Sequence, residues 1–134
     1  MDQKQLGVFG ENIACRYLEG KGYKILERNF CKNWDSAKKG EIDIVAKKDD
    51  IIVFVEVKTL KKEATKGKLN NGVGLSPEDK VNFQKRRKLV NLAESWLVKN
   101  KIPLDSKWQI DVVSVSADLV SRKAGIRHFK NIAC

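Results

Sequence analysis

Proline, cysteine and histidine are scarce in this 134-residue chain, with two, three and one respectively. Cys15, Cys31 and Cys134 are an odd number at wide spacing, with no CxxC pair. That excludes a disulfide framework and a structural zinc site, which needs about four clustered Cys or His ligands, so reduced thiols are expected. No apolar run approaches the ~18 residues of a membrane span. The N-terminal MDQKQLGVFGE lacks the basic-then-apolar layout of a secretory signal, so a cytoplasmic location is expected. Neither a P-loop nor a GxGxxG motif occurs, which argues against nucleotide hydrolysis. Acidic charge is also short: 17 Asp and Glu face 27 Lys and Arg, leaving a net charge of +10.

That imbalance is concentrated. Residues 58–88 hold ten basic side chains (Lys58, Lys61, Lys62, Lys66, Lys68, Lys80, Lys85, Arg86, Arg87, Lys88) against three acids, an excess of seven. Such a cluster raises the local concentration of a polyphosphate. An anionic membrane fits less well, because no strongly apolar helical stripe adjoins the charges throughout. With 42% apolar and 33% charged residues, the chain has the composition and size of one domain with one core.

Apolar residues at three- and four-residue steps (Leu6, Phe9, Ile13, Ala14, Tyr17, Leu18) predict a helix over residues 5–20, ended by Gly20 and Gly22. A strand is expected over Tyr23–Phe30, then a polar loop. Ile42–Lys47 and Ile51–Thr59 read as a hairpin turning at Lys48-Asp49. Within it, the near-continuous apolar run IIVFVEV suggests a central strand covered on both faces. Residues 60–75 lack any period and are expected to form a loop. Ser76-Pro77-Glu78-Asp79 carries the signals of a helix start, and that helix should run to about Lys99. Ile110–Ser116 is a further strand and Ile126–Phe129 a possible edge strand. The order α-β-β-β-α-β predicts a single α/β domain with a mixed sheet flanked by helices.

Chemistry enters through the alternation of side chains along a strand. Phe54, Glu56 and Lys58 share one face of the central strand. An unpaired buried carboxylate is costly, so a partner or a metal is expected for Glu56. A turn at Lys48-Asp49 pairs Asp43 with Phe54, which sets Asp43 diagonally beside Glu56 and Glu41 opposite it. Position alone does not choose between Glu41 and Asp43. Hard carboxylate oxygens suit Mg²⁺, with Mn²⁺ as the alternative, and Lys58 lies near enough to orient a water or steady developing charge. The competing explanation is a plain Glu56–Lys58 salt bridge. Glu11 falls at the border of the first helix's apolar stripe. On the second helix Lys85 lies inside the stripe of Val81, Leu89, Leu92, Ala93 and Trp96, with Lys88 close to it. A lysine there needs a carboxylate or a phosphate as partner, unless it snorkels to solvent. Asp111 is expected to support the site or cap a turn, His128 to serve as a structural hydrogen bonder, and Trp34 to be available for stacking on a base.

Asp43 followed by Glu56-Val57-Lys58 resembles the D-x(n)-[DE]-x-K core of the restriction-endonuclease-like, PD-(D/E)XK nucleases. More closely, the chain resembles the YraN family of bacterial proteins, related to archaeal Holliday junction resolvases. The blocks Gly7–Glu11, Gly22-Tyr23, Arg28-Asn29, Gly40–Ala46, Val53–Thr59, Val81 with Lys85, and Ile110–Val113 carry the likeness in order, with His128 and Asn131 closing it. Leu60, Arg86 and Gln109-Ile110 depart from the family pattern without touching a proposed ligand. The resemblance implies a restriction-endonuclease-like domain over residues 1–134 that hydrolyses DNA, with branched DNA as the expected substrate and a homodimer as the expected form. It implies catalytic Glu11, Asp43, Glu56 and Lys58, with the metal on Asp43 and Glu56. DNA contacts would fall to Lys61, Lys62, Lys66, Lys68, Lys85, Arg86, Arg87 and Lys88. A nucleic-acid-binding module of the same fold without turnover is the alternative.

Overall fold

The computed structural model describes residues 2–32, 40–62, 83–118 and 120–132. Its elements are α1 (Gln3–Gly20), β1 (Lys24–Phe30), β2 (Ile42–Lys48), β3 (Ile51–Lys62), α2 (Phe83–Lys99), β4 (Trp108–Asp118) and β5 (Lys123–Phe129). α1 starts two residues earlier than its apolar stripe suggests, because Asp2 caps it. The Asp2 carboxylate accepts from the Gln5 N–H at 2.7 Å, and the Gln5 side chain accepts from the Asp2 N–H at 2.9 Å. This reciprocal box satisfies two donors that the helix leaves open. At the other end Gly22 takes φ 94°, a conformation that favours glycine, and the Tyr23 N–H closes onto the Leu18 carbonyl at 2.9 Å.

One five-stranded sheet runs in the order β1-β2-β3-β4-β5. The first three strands form an antiparallel meander, β4 lies parallel to β3, and β5 returns antiparallel along β4. The two helices cover opposite faces. Ala14, Cys15 and Leu18 of α1 pack on Ile44, Ala46, Val53, Val55, Val113 and Val115. Leu89, Ala93, Trp96 and Leu97 of α2 pack on Val45, Phe54, Ile110 and Val112. Phe54 meets both Trp96 and Trp108 edge to face at 5.7 Å between centroids, the favoured aromatic geometry. β3 is thus buried on both sides, as its unbroken apolar run suggests. Among the described residues no helix is long and apolar enough to cross a membrane.

Beyond the early start of α1, further details differ from the sequence expectations, among them β4, which runs over Trp108–Asp118 where Ile110–Ser116 is expected. Lys48 pairs with Ile51, so Asp49-Asp50 forms the turn, with Asp49 in the left-handed region at φ 58° that aspartate tolerates. The register moves by two residues and the face parity survives. Residues 60–62, expected in a loop, extend β3, because backbone pairing with β4 continues as far as Lys62↔Asp118. β5 begins at Lys123, well before Ile126, for the same reason. The expected helix start at Ser76, with Val81, lies outside the described residues, as does Trp34.

Candidate functional site

Asp43 and Glu56 are the two acids that the meander draws into its interior, 9% and 7% exposed. Continuing the register from Ile44↔Val55 sets Asp43 directly level with Glu56, where the sequence reading placed it diagonally. The Val57 N–H donates to the Asp43 carboxylate at 2.7 Å. Burial and the negative charge of Glu56 nevertheless push the Asp43 pKa up to about 8, against that bond, with Glu11 and a hydrogen bond to Glu56 adding to the rise. At neutral pH and without a cation, the Asp43 carboxyl therefore keeps its proton and is hydrogen-bonded to Glu56.

Two lysines converge on the same carboxylate. Lys58 Nζ lies 3.3 Å and Lys85 Nζ 2.6 Å from Glu56 Oε2. Lys58 comes from β3 itself, and Lys85 from the inward face of α2, where its position in the apolar stripe called for a carboxylate or phosphate. The two amines are not equivalent. Burial and the hydrogen bond with Lys85 hold the Lys58 pKa below the ordinary lysine value, outweighing the attraction of Glu56. Lys85 is raised: burial works against it, but its hydrogen bonds to Glu56 and Lys58 prevail. The result is an anchored ammonium, Lys85, beside a more easily deprotonated amine, Lys58.

Glu11 and Glu41 complete an acidic rim. One ligand oxygen from each of Glu11, Glu41 and Asp43 can be chosen so that all lie within 4.8 Å of one another. Glu11 arrives from the α1 side because the helix approaches β3 closely at Gly10. A Cβ built on Gly10 would overlap the Thr59 hydroxyl and come within 2.9 Å of Thr59 Cβ. Glu11 Oε1 accepts from Asn29 Nδ2 at 3.0 Å and lies 3.6 Å from Arg28 Nη2. The same Asn29 nitrogen reaches Glu41 Oε1 at 3.3 Å. Burial and the charge of Glu11 raise the Glu41 pKa, while Asn29 pulls it down. As a donor set, three hard oxygens fit a hard divalent cation. Ligand bonds of about 2.1 Å would require only a modest closing of the group. Position in the sequence does not choose between Glu41 and Asp43; the structure brings both together with Glu11.

Beside these acids lies a cavity of about 250 Å³ lined by Gly40, Glu41, Asp43, Glu56, Val57, Lys85, Lys88, Leu89 and Leu92. Lys61, Arg86, Arg87 and Lys88 are exposed. The Lys62 side chain, Lys66 and Lys68 lie outside the described residues.

Asp111 does not join this group. Fully buried, it accepts from Gln109 Nε2 at 2.8 Å and the Asn131 N–H at 2.9 Å, and bonds His128 Nε2 at 2.7 Å. His128 Nδ1 lies 3.0 Å from Tyr17 Oη. This chain ties α1, β4 and β5 together, the structural role expected of His128. Cys15 and Cys31 are free thiols.

A profile for "Uncharacterised protein family UPF0102" matches residues 10–115. The chain belongs to the UPF0102 family. This is the YraN family to which the sequence blocks pointed. A UPF0102 protein of Clostridium botulinum is 37% identical over 128 residues, covering 96% of this chain and 93% of the relative. One from Alkaliphilus oremlandii is 34% identical over 128 residues, covering 96% and 97%. A third, from Roseiflexus castenholzii, is 37% identical over 124 residues, covering 92% and 89%. The matched UPF0102 span contains Glu11, Glu41, Asp43, Glu56, Lys58 and Lys85; His128 lies beyond it.

Proposed function

We propose that this UPF0102 protein is a divalent-cation-dependent nuclease that hydrolyses phosphodiester bonds in DNA, built on a restriction-endonuclease-like fold. The observation that carries this reading is the meeting of Glu11, Glu41 and Asp43, with Asp43 hydrogen-bonded to Glu56, the carboxylate on which Lys58 sits. A salt bridge alone would need neither the acidic rim nor the cavity. Asp43 would hold the cation with Glu11 and Glu41, and Glu56, the expected second ligand, would border it. Bound Mg²⁺ or Mn²⁺ would supply Lewis acidity and lower the pKa of a ligated water. Lys58 would orient the attacking water, accept its proton when neutral, and steady charge on the phosphorus centre. Lys85, released from Glu56 by the incoming cation and substrate, would contact the phosphate. Lys61, Arg86, Arg87 and Lys88 would bind the backbone, together with Lys62, Lys66 and Lys68, giving affinity without base readout.

The second reading, a binding module without turnover, is favoured by Glu56 being already neutralised by two lysines. One assay separates the two. Labelled linear and four-way DNA, and RNA of matching sequence, are incubated with Mg²⁺ and the parent, Lys58→Ala or Asp43→Ala protein. Cleavage of DNA by the parent, falling at least about 100-fold in either variant, supports the nuclease. Binding with no cleavage of any substrate leaves the module. Equal cutting by all three proteins assigns the activity to a contaminant. On four-way DNA, with two strands to cut, we expect a two-fold dimer, which sedimentation with and without the junction tests.

A further inference from the structure

We infer that Asn29 is a positioning residue that holds Glu11 and Glu41 side by side to receive one divalent cation. This rests on the cation site proposed above and adds a residue to its construction. A single amide nitrogen, Asn29 Nδ2, lies 3.0 Å from Glu11 Oε1 and 3.3 Å from Glu41 Oε1. An amide nitrogen carries two hydrogens, so it can donate one to each carboxylate at once. Two carboxylates on flexible stems repel and turn apart unless something bridges them. A lysine or arginine in that place would cancel the charge the cation needs; a neutral amide fixes the geometry and leaves the charge in place.

The backbone is shaped for this. By the register of Arg28↔Ile44 and Phe30↔Ile42, Asn29 stands level with Asp43 across the β1–β2 ladder. It adopts φ 55° inside a strand, a left-handed conformation that asparagine tolerates better than most side chains. Asn29, Asp43 and Glu56 therefore form one row across β1, β2 and β3. Arg28, exposed like Asn29 and 3.6 Å from Glu11, makes a longer contact that reaches Glu11.

Mn²⁺ is the probe. Calorimetric titration and the spin-resonance signal of free Mn²⁺ give its affinity for the parent, Asn29→Gly and, as control, Asn131→Gly. Glycine accepts the left-handed backbone at both positions, since Asn131 also has φ 55°. N29G should keep the cation-free melting temperature within a few degrees and its metal-free DNA affinity. Its Mn²⁺ affinity should fall roughly 10- to 100-fold, as loss of an outer partner of metal ligands does. N131G should leave Mn²⁺ affinity unchanged. Equal affinity in N29G and the parent overturns the role of Asn29 and leaves the cation site standing. A parent that binds no Mn²⁺ removes the cation site, and the inference with it. Should N29G fail to fold, Asn29→Ser, too short to bridge the two carboxylates, gives the same readout, and unchanged affinity there counts against the inference.

Discussion

Asp43 is the residue whose environment is most at odds with its chemistry. Its pKa in the folded chain is about 8 against an ordinary 3.8, so the folded state keeps a proton that the unfolded chain gives up. For an acid shifted upward, folding stability is fullest below the unfolded value and declines as pH rises to the folded value. In cation-free buffer the parent should therefore lose stability between about pH 4 and pH 8. Asp43→Asn, uncharged throughout, should flatten that decline and melt above the parent at pH 9; a lower melting point there would contradict the assignment. A divalent cation held by Asp43 as proposed would compete with the same proton. Mg²⁺ affinity should rise with pH up to about 8, by as much as tenfold per unit for one displaced proton. Titrations in buffers of different ionisation enthalpy count that proton directly.

At the scale of elements, two joints set the positions of the site and the sheet edge. The Gly10–Thr59 contact brings α1 against β3 and carries Glu11 to the rim. Gly10→Ala should destabilise by about 1–3 kcal/mol through overpacking, and weaken cation binding as Glu11 retreats. Adding Thr59→Ala, which removes the overlapping hydroxyl and methyl, should restore part of both losses. The second joint is Tyr17–His128–Asp111. Removing its middle in His128→Ala leaves a buried carboxylate short of a partner, at a cost of about 3 kcal/mol, or roughly 10 °C of melting temperature. A change under 2 °C would show that the bond is idle. Cation affinity should not follow, because this chain lies apart from the acidic rim.

The same joints explain what could be read from the sequence. The helix stripe of α1 and the apolar runs of β2 and β3 depend on local periodicity, and they are plain in the residues. So is the shared face of Asp43, Glu56 and Lys58, which needs only the parity of the turn. The turn lies one residue beyond its expected position, at Asp49-Asp50 in place of Lys48-Asp49, because only cross-strand pairing chooses among the adjacent polar pairs of KKDD. Leu60, Lys61 and Lys62 at the end of β3 and the start of β5 owe their conformation to β4, a partner remote in sequence. Glu41 is visible in the sequence, but position alone does not separate it from Asp43. Asn29 stood only in a block of family likeness, because a bridge between Glu11 and Glu41 needs three segments at known distances.

For the whole molecule, charge is the dominant property. The chain carries a net +10 and also an acidic pocket, so a polyanion would be drawn to the surface while a cation would be drawn to the rim. DNA affinity measured without metal should fall steeply between 50 and 200 mM salt, by about 10³ if some six phosphates are contacted. Replacing exposed Arg86 and Lys88 by alanine should lower the logarithmic salt slope by about two, uniformly across sequences. An unchanged slope would move the binding face elsewhere. Where a cation binds is measured directly by anomalous diffraction from crystals soaked in Mn²⁺. The expected result is a peak about 2.2 Å from an Asp43 oxygen, with Glu11 and Glu41 turned toward it. A crystal at saturating Mn²⁺ with no peak there, and with Lys85 still seated on Glu56, would contradict it.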